Sequence, residues 1–267
     1  MIIQPKVRGF VCITAHPKGC EQHILEEIDF VKNQKPIEGG PGRVLVIGGS
    51  TGYGLSSRIV PTFSWGAKTI GVFFERPPAT ERPATAGWYN SVAFKNAAEK
   101  HGYYARNVNG DAVHLPFAAN TFDLVFCQCV LLWVGDGVTA VAEIQRVLEP
   151  GGVLIALEPD YAGMIEQPPD IATRDLWMAA LARAGAEPEI GRKLPGILAA
   201  QGFTVRVDLL EEVKRPSSTR FDFLRQLPLT PAEQTQLARA ENAARQLSDD
   251  WAQIAHLPFF LITAERP

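Results

Sequence analysis

The sequence predicts an α/β fold in which a doubly wound, mostly parallel sheet carries helices on both faces, as a three-layer αβα sandwich. Two observations support this prediction. Short apolar runs alternate with stretches of helical character, and glycine or acidic residues follow the first of these runs directly. The chain has 267 residues, 46% of them hydrophobic, which suffices for one large core. We therefore expect a single Rossmann-like domain over residues 1–267.

The strand and helix predictions follow from apolar runs and from helix start and stop signals. Strands are predicted over residues 43–48, 68–75, 103–108, 121–128, 153–157, 204–210 and 259–264. Helices are predicted over residues 55–63, 89–101, 138–148 and 231 to about 255. Thr230 and Glu233 form a capping-box pattern around Pro231 at the start of the last helix. Pro168 and Pro169 are expected to begin a further helical segment.

A glycine-rich turn joins the first predicted strand to the first predicted helix. Its glycines have the spacing Gly48-x-x-x-Gly52-x-Gly54. Without a Cβ, the backbone of such a turn can approach a ligand, and the following helix directs free N–H groups and its positive dipole end there. A pyrophosphate group suits that position. The alternative is an ordinary strand–helix turn without a ligand.

Acidic residues end the second and third predicted strands. Glu75 follows the turn by about 20 residues, where a carboxylate hydrogen-bonds both ribose hydroxyls of an adenosine. It would also repel a 2′-phosphate, so NADH is favoured over NADPH. Asp111 can accept a hydrogen bond from an adenine amino group, while Ala112 donates its backbone N–H. The alternatives are a solvated strand-end acid at Glu75 and a turn aspartate at Asp111.

Other classes of function are not indicated. The formal net charge of -3 would attract neither nucleic acid nor an anionic membrane, and no run of 18 apolar residues is present. The four cysteines match no zinc pattern, so we expect a cytoplasmic chain with free thiols, no metal and a small-molecule cofactor as partner. Lone histidines such as His16 and His114 are more often structural than catalytic.

Residues 1–112 contain a characteristic set of sequence motifs: Lys6–Phe10, Thr14–Pro17, Val44–Gly54, Gly71–Glu75, Thr85–Asn90 and Asn109–Ala112. This part of the chain closely resembles the N-terminal half of FabV-type, NADH-dependent trans-2-enoyl-ACP or enoyl-CoA reductases. The resemblance implies that NADH is bound by Gly48, Ser50, Tyr53, Phe74, Glu75, Asp111 and Ala112. Gly52 and Gly54 complete the glycine turn of the same site.

A second set of sequence motifs begins near residue 110: Gly110–Ala112, Leu115–Phe117, Phe122–Val125, Glu143, Arg146–Leu148, Pro150–Gly152 and Glu158–Pro159. Residues 110–267 resemble class I S-adenosylmethionine-dependent methyltransferases. The triplet Gly110–Ala112 fits both families, which makes it a junction between a reductase-like half, 1–112, and a methyltransferase-like half, 113–267. In both families Glu75 and Asp111 occupy the ribose and adenine positions.

Each resemblance lacks a reactive part. A FabV-type reductase protonates and stabilises its enolate with a Tyr and a Lys nine positions later. The residues nine positions after the five tyrosines are Thr62, Ala98, Ala112, Val113 and Asp170, so no such pair exists. In the methyltransferase motif, the acid that helps to hold the methionine end of the cofactor aligns with Val46, and one motif glycine aligns with Ser50.

Three hypotheses remain open. The first is a hybrid binding module, natural or engineered, that binds an adenosine-containing cofactor, NAD(H) first, with little or no enoyl reductase activity. The second is a class I methyltransferase that uses S-adenosylmethionine on an unknown small molecule, because such enzymes need few catalytic side chains. The third is a stable α/β domain that binds neither cofactor tightly. The catalytic residues, the methyl acceptor and the oligomeric state stay open.

Overall fold

The computed structural model describes residues 6–8, 11–12, 15–80, 83–210, 212–213, 215–217, 219–247 and 251–267. Its strands are β1 (Val7–Arg8), β2 (Val11–Cys12), β3 (Arg43–Ile47), β4 (Lys68–Phe73), β5 (Ala105–Asn109), β6 (Phe122–Gln128), β7 (Leu148–Pro159), β8 (Ile165–Gln167), β9 (Thr204–Leu209), β10 (Ile254–His256) and β11 (Phe259–Glu265). Its α-helices are α1 (Pro17–Lys32), α2 (Gly52–Ser64), α3 (Ala86–Lys100), α4 (Gly137–Val147), α5 (Arg174–Arg183), α6 (Ile190–Ala200), α7 (Arg220–Arg225) and α8 (Pro231–Arg245). None of the described helices is long and apolar enough to cross a membrane.

A seven-stranded sheet forms the centre of the molecule, in the order β5-β4-β3-β6-β7-β11-β9. The pairs from β5 to β7 are parallel, whereas β11 runs antiparallel to both β7 and β9. The predicted mostly parallel α/β sheet is therefore confirmed. The strand order reverses between β3 and β6, and ligands of open α/β sheets bind outside the carboxyl ends of the strands at such a reversal.

Helices lie on both faces of the sheet, as predicted, but the two groups are offset along it. α2 and α3 pack on β3–β5, and α1 packs against both helices. α4 and α6 pack towards β7 and β9 on the opposite face, where the larger core is built mostly from residues after 112. The offset is visible in β7, where Leu154 and Ala156 are fully buried but Ile155 and Leu157 are half-buried.

Some boundaries differ from the sequence prediction. The last predicted helix is too long, because α8 ends at Arg245 and β10 occupies residues that the helix was expected to include. Residues 246–255 contain no Gly or Pro, so the sequence offers no stop signal there. The capping box at its start is confirmed: Thr230 N donates to Glu233 Oε2 at 2.7 Å, and Glu233 N donates to Thr230 Oγ1 at 3.3 Å.

Candidate functional site

The carboxyl ends of β3, β4 and β5 lie side by side, with β4 in the middle. The turn after β3 is tied to β4, because Gly48 N donates to Val72 O at 2.8 Å. The end of β5 is tied to the segment just after β4 by a side chain, since Asn109 Nδ2 donates to the backbone oxygen of Glu75 at 3.0 Å. The glycine turn, Glu75 and residues 110–112 therefore meet at one edge of the sheet.

The three glycines of the turn make room for different groups. Gly48 has a φ of +78°, and a Cβ there would lie 2.6 Å from Val130 Cγ2. A Cβ on Gly54 would overlap the carbonyl oxygen of Gly48, so α2 packs directly on the turn backbone. Gly52, with a φ of +51°, faces open space. Two glycines thus serve the packing of the turn, and the third leaves its backbone accessible to a ligand.

The carboxylate of Glu75 is held between two hydroxyl groups. Ser50 Oγ donates to Oε1 at 3.0 Å, and Thr85 Oγ1 donates to Oε2. Thr85 also caps α3, because its Oγ1 accepts from Trp88 N at 3.3 Å. A Cβ on Gly87 would overlap Glu75 Oε1. A carboxylate has about four acceptor positions, so this arrangement orients Glu75 and still leaves capacity for a ribose diol.

Two aromatic side chains and one acid complete the edge. Tyr53 is 72% exposed and Phe74 is 69% exposed, as side chains that contact a ligand rather than the core would be. Asp111 is exposed, and its Oδ1 accepts from Val113 N at 3.1 Å within its own turn. Ala112 is buried in the larger core. The structure thus joins Ser50 and Glu75 directly, whereas the carboxylate of Asp111 bonds locally.

Beneath the turn lies Arg58, a charged residue of α2 that the sequence patterns do not single out. Its side chain is fully buried. Nη1 donates to Asn107 Oδ1 at 2.9 Å and to the carbonyl oxygen of Gly49 at 3.4 Å, and Nη2 donates to the carbonyl oxygen of Arg106 at 2.9 Å. The sequence signal is Gly71 inside β4, because a Cβ there would lie 2.6 Å from Arg58 Nη1.

Glu158, at the end of β7, holds the segment that covers Gly48. Its Oε1 accepts from Val130 N at 3.0 Å and from Leu131 N at 2.9 Å, and Val130 in turn contacts Gly48. Its Oε2 has no hydrogen-bond partner among the described residues. Burial raises the pKa of Glu158 to about 7, although the hydrogen bonds from backbone N–H groups oppose the shift.

We expect Glu158→Gln to flatten part of the dependence of stability on pH. The folded state keeps the Glu158 proton up to a pH of about 7, whereas the unfolded chain releases it near the ordinary pKa of 4.5. Between these values the unfolded state binds fewer protons, so the free energy of unfolding falls as the pH rises. Urea unfolding gives the free energy of unfolding of the wild type and of Glu158→Gln at each pH. The difference between these two free energies should grow from pH 4.5 to about 7 and stay constant above that pH. A difference independent of pH would contradict this.

The histidine and cysteine candidates from the sequence have surroundings that indicate structural rather than catalytic roles. His16 caps α1, because its Nδ1 accepts from Gly19 N at 3.4 Å. Burial raises the pKa of the Cys127 thiol and raises that of Cys129 to about 12, so neither is a reactive thiolate at neutral pH. Within the described ranges no three His, Cys, Asp or Glu side chains are grouped as a metal site. Three residues of the reductase-like sequence motifs lie outside the described residues: Gly9, Phe10 and Thr14.

Two family models match separate parts of the chain. Residues 2–80 match the NAD(P)H-binding domain of trans-2-enoyl-CoA reductase, and residues 88–156 match a methyltransferase domain. Both resemblances that the sequence predicts are confirmed. The methyltransferase match begins before residue 110, so it includes most of α3 and all of β5 as well as the shared triplet.

Curated relatives of the chain include NADH enoyl-acyl-carrier-protein reductases. That of Coxiella burnetii is 55% identical over 125 residues, which cover 47% of this chain and 31% of the relative. That of Marinomonas is 41% identical over 216 residues, which cover 71% of this chain and 54% of the relative. The chain therefore spans about a third to a half of the length of these relatives. The Marinomonas alignment extends beyond residue 112, so the reductase likeness and the methyltransferase match overlap.

Solved structures resemble the chain over nearly its whole length. A candidate methyltransferase from Bacillus halodurans covers 92% of this chain and 99% of its own, with a TM-score of 0.52 and 16% identity. The YcgJ protein from Bacillus subtilis covers 92% of this chain and 98% of its own, with a TM-score of 0.54 and 17% identity. At such low identity these likenesses show the shared Rossmann-like α/β fold alone.

Proposed function

We propose that the chain binds NAD(H) at the carboxyl edge of β3, β4 and β5, with little or no enoyl reductase activity. The observation that carries this proposal is the bond between Ser50, in the glycine turn, and Glu75, at the end of β4. It joins a backbone suited to a pyrophosphate and a carboxylate suited to a ribose in one unit. The match to the NAD(P)H-binding domain of trans-2-enoyl-CoA reductase, over residues 2–80, includes both residues.

The residues at this edge take distinct roles in the proposal. Glu75 accepts hydrogen bonds from the ribose hydroxyls, and the backbone at Gly52 with the N-terminus of α2 receives the pyrophosphate. Tyr53 and Phe74 flank the cofactor, and Asp111 with the N–H of Ala112 meets the adenine. NAD(H) would supply hydride chemistry when bound. The chain lacks the Tyr and Lys pair that would protonate and stabilise an enolate, so we expect cofactor binding without enoyl reduction.

The alternative is an S-adenosylmethionine-dependent methyltransferase that acts on an unidentified small molecule. The family match over residues 88–156 favours it. Against it stand the glycine turn, which suits a phosphate that S-adenosylmethionine lacks, and the absence of an acid at position 46. Val46 is fully buried and lies near Arg58. Because its side chain is apolar, it offers no polar group to the methionine end of S-adenosylmethionine.

Calorimetric titration of NADH and of S-adenosylmethionine into the same protein separates the two functions. We expect NADH to bind more tightly than both S-adenosylmethionine and NADPH. Glu75→Gln should weaken NADH binding by about tenfold or more, because charge-assisted hydrogen bonds to the ribose are lost. The same variant should narrow the preference for NADH over NADPH, because the carboxylate no longer repels the 2′-phosphate.

Glu99→Gln serves as the matched control for this experiment. Glu99 is an exposed residue of α3 that pairs with Lys95, away from the strand ends, so its substitution should leave NADH affinity unchanged. Unchanged NADH affinity in Glu75→Gln would show that the ribose assignment is wrong. Tight binding of S-adenosylmethionine without NADH binding would favour the methyltransferase.

A further inference from the structure

Arg58 is a buried cation whose hydrogen-bond partners are all neutral. They are the oxygens of Asn107, Arg106 and Gly49, and within the described ranges Arg58 takes part in no ion pair and its Nε has no partner. Burial lowers the pKa of Arg58 to about 9, so the guanidinium remains charged at neutral pH. The guanidinium carbon also lies 4.7 Å from the centroid of the Phe94 ring. No carboxylate neutralises the charge among these contacts, so its field stays available to an anion bound nearby.

The chain makes room for this guanidinium directly under the glycine turn. A Cβ on Gly49 would lie 2.8 Å from Arg58 Cδ, and Gly71 leaves space for Nη1 in the same way. The first turn of the 13-residue helix α2 holds no acidic residue, and its N-cap residue Thr51 makes no side-chain capping bond. The positive end of α2 and the charge of Arg58 therefore act on the same stretch of backbone.

We propose that Arg58 makes this turn select an anionic cofactor, so that the pyrophosphate of NAD(H) is favoured over the cationic sulfonium of S-adenosylmethionine. Arg58 is fully buried and contacts the turn through the carbonyl of Gly49. It is thus a specificity-determining residue that acts through its field and through the turn, and it is not a catalytic residue. In the weakly screened interior a charge acts strongly over several ångströms. The inference rests on the proposed function, because it takes the turn as the pyrophosphate site.

Position 46 offers a way to neutralise this charge. Val46 is fully buried in β3, and its Cγ1 lies 3.2 Å from the point where a Cβ on Gly49 would stand. Arg58 Cδ lies 2.8 Å from the same point. Val46 also pairs with Gly71 of β4, whose Cβ position lies 2.6 Å from Arg58 Nη1, so a carboxylate at position 46 would face the guanidinium. Val46→Asp therefore adds a compensating charge, and Val46→Asn adds a polar side chain of the same size without the charge.

The test compares ADP-ribose, which carries the pyrophosphate, with adenosine, which lacks it, by calorimetric titration. We expect Val46→Asp to bind ADP-ribose about tenfold more weakly than Val46→Asn, because the field at the turn is neutralised. The adenosine affinities of the two variants should agree within about twofold, because adenosine carries no phosphate on which the charge of Arg58 could act. Arg58→Met should act like Val46→Asp, whereas Arg58→Lys, which keeps the charge, should bind ADP-ribose much as the wild type does.

Equal ADP-ribose affinity in Val46→Asp and Val46→Asn would overturn the proposal. So would a parallel loss of adenosine and ADP-ribose affinity, which would indicate damage to the turn rather than loss of charge. If neither Arg58→Met nor Val46→Asp folds, Arg58 is a purely structural residue and the proposal is equally overturned. A wild type that binds neither NADH nor ADP-ribose would instead refute the proposed function itself.

Discussion

Gly54→Ala should abolish measurable NADH binding and lower the free energy of unfolding by about 3 kcal/mol. The added methyl group would overlap the carbonyl oxygen of Gly48 and would also approach Gly49 Cα at 3.2 Å. Both contacts are with backbone, which cannot rotate away as a side chain can. α2 would have to move off the turn, and with it the N–H groups that receive the pyrophosphate. Urea unfolding and calorimetric titration of NADH measure the two effects.

Gly196→Ala is the matched control for this substitution. Gly196 lies inside α6, is exposed, and has nothing within 4 Å of its Cβ position. Alanine is a better helix former than glycine, so this variant should be more stable than the wild type by roughly 0.5 kcal/mol and should bind NADH normally. If Gly54→Ala were as stable as Gly196→Ala, the close packing of α2 on the turn would be refuted.

Asp123→Ala should lower the free energy of unfolding by about 2 kcal/mol. Asp123 Oδ2 accepts from Gly42 N at 2.9 Å and from Arg43 N at 2.8 Å, and Oδ1 accepts from Arg43 Nε at 3.0 Å. Burial would raise the pKa of Asp123, but the hydrogen bonds, above all those from Arg43, outweigh it and keep this pKa below its ordinary value. The variant leaves these donors without their acceptor where β3 of the reductase-like half pairs with β6.

Asp208→Ala is the control for the ion pair. Asp208 pairs with Arg206 at the surface, where the side chains are 43% and 77% exposed. Exposed pairs of this kind contribute little, so a loss of about 0.5 kcal/mol or less is expected. Denaturant unfolding of both variants at one pH gives the comparison. Similar losses in the two variants would show that Asp123 does not stabilise the contact between the halves.

Much of the central sheet is predictable from the sequence, because buried parallel strands have a local signature. β3, β4 and β6 are short apolar runs, and glycine or acidic residues follow the first two. The reversed direction of β11 is not predictable in the same way. An apolar strand has the same composition in either direction, and its orientation depends on pairing with β7 and β9, which are distant in the sequence.

α1 shows that a signal can be present in the sequence and still be passed over. Ile24, Ile28 and Val31 have the helical spacing i, i+4, i+7 and pack in one apolar cluster, and Pro17 stands at the first helical position after His16. The predicted elements begin only at residue 43, so they miss this helix although its apolar face and its start are readable. Its packing on α2 and α3 is a property of the fold that the sequence pattern does not give.

The candidate site shows the same division. Glu75 is predictable because a strand-end acid at a fixed distance from a glycine turn has a known chemical use. Its attachment to Thr85 depends on where α3 begins relative to β4, which only the fold determines. Arg58 contradicts the expectation that arginine is exposed. Its burial requires acceptors from β5, 48 and 49 residues further along the chain.

The position of the larger core has a consequence for how substitutions can change this molecule. The groups proposed to grip the cofactor come mostly from the first 112 residues, while the larger core comes mostly from later ones. Substitutions that change which ligand binds therefore leave most of the larger core, and its contribution to stability, unchanged. Selection or protein engineering could change the ligand preference of residues 1–112 while residues 113–267 continue to supply most of the buried core.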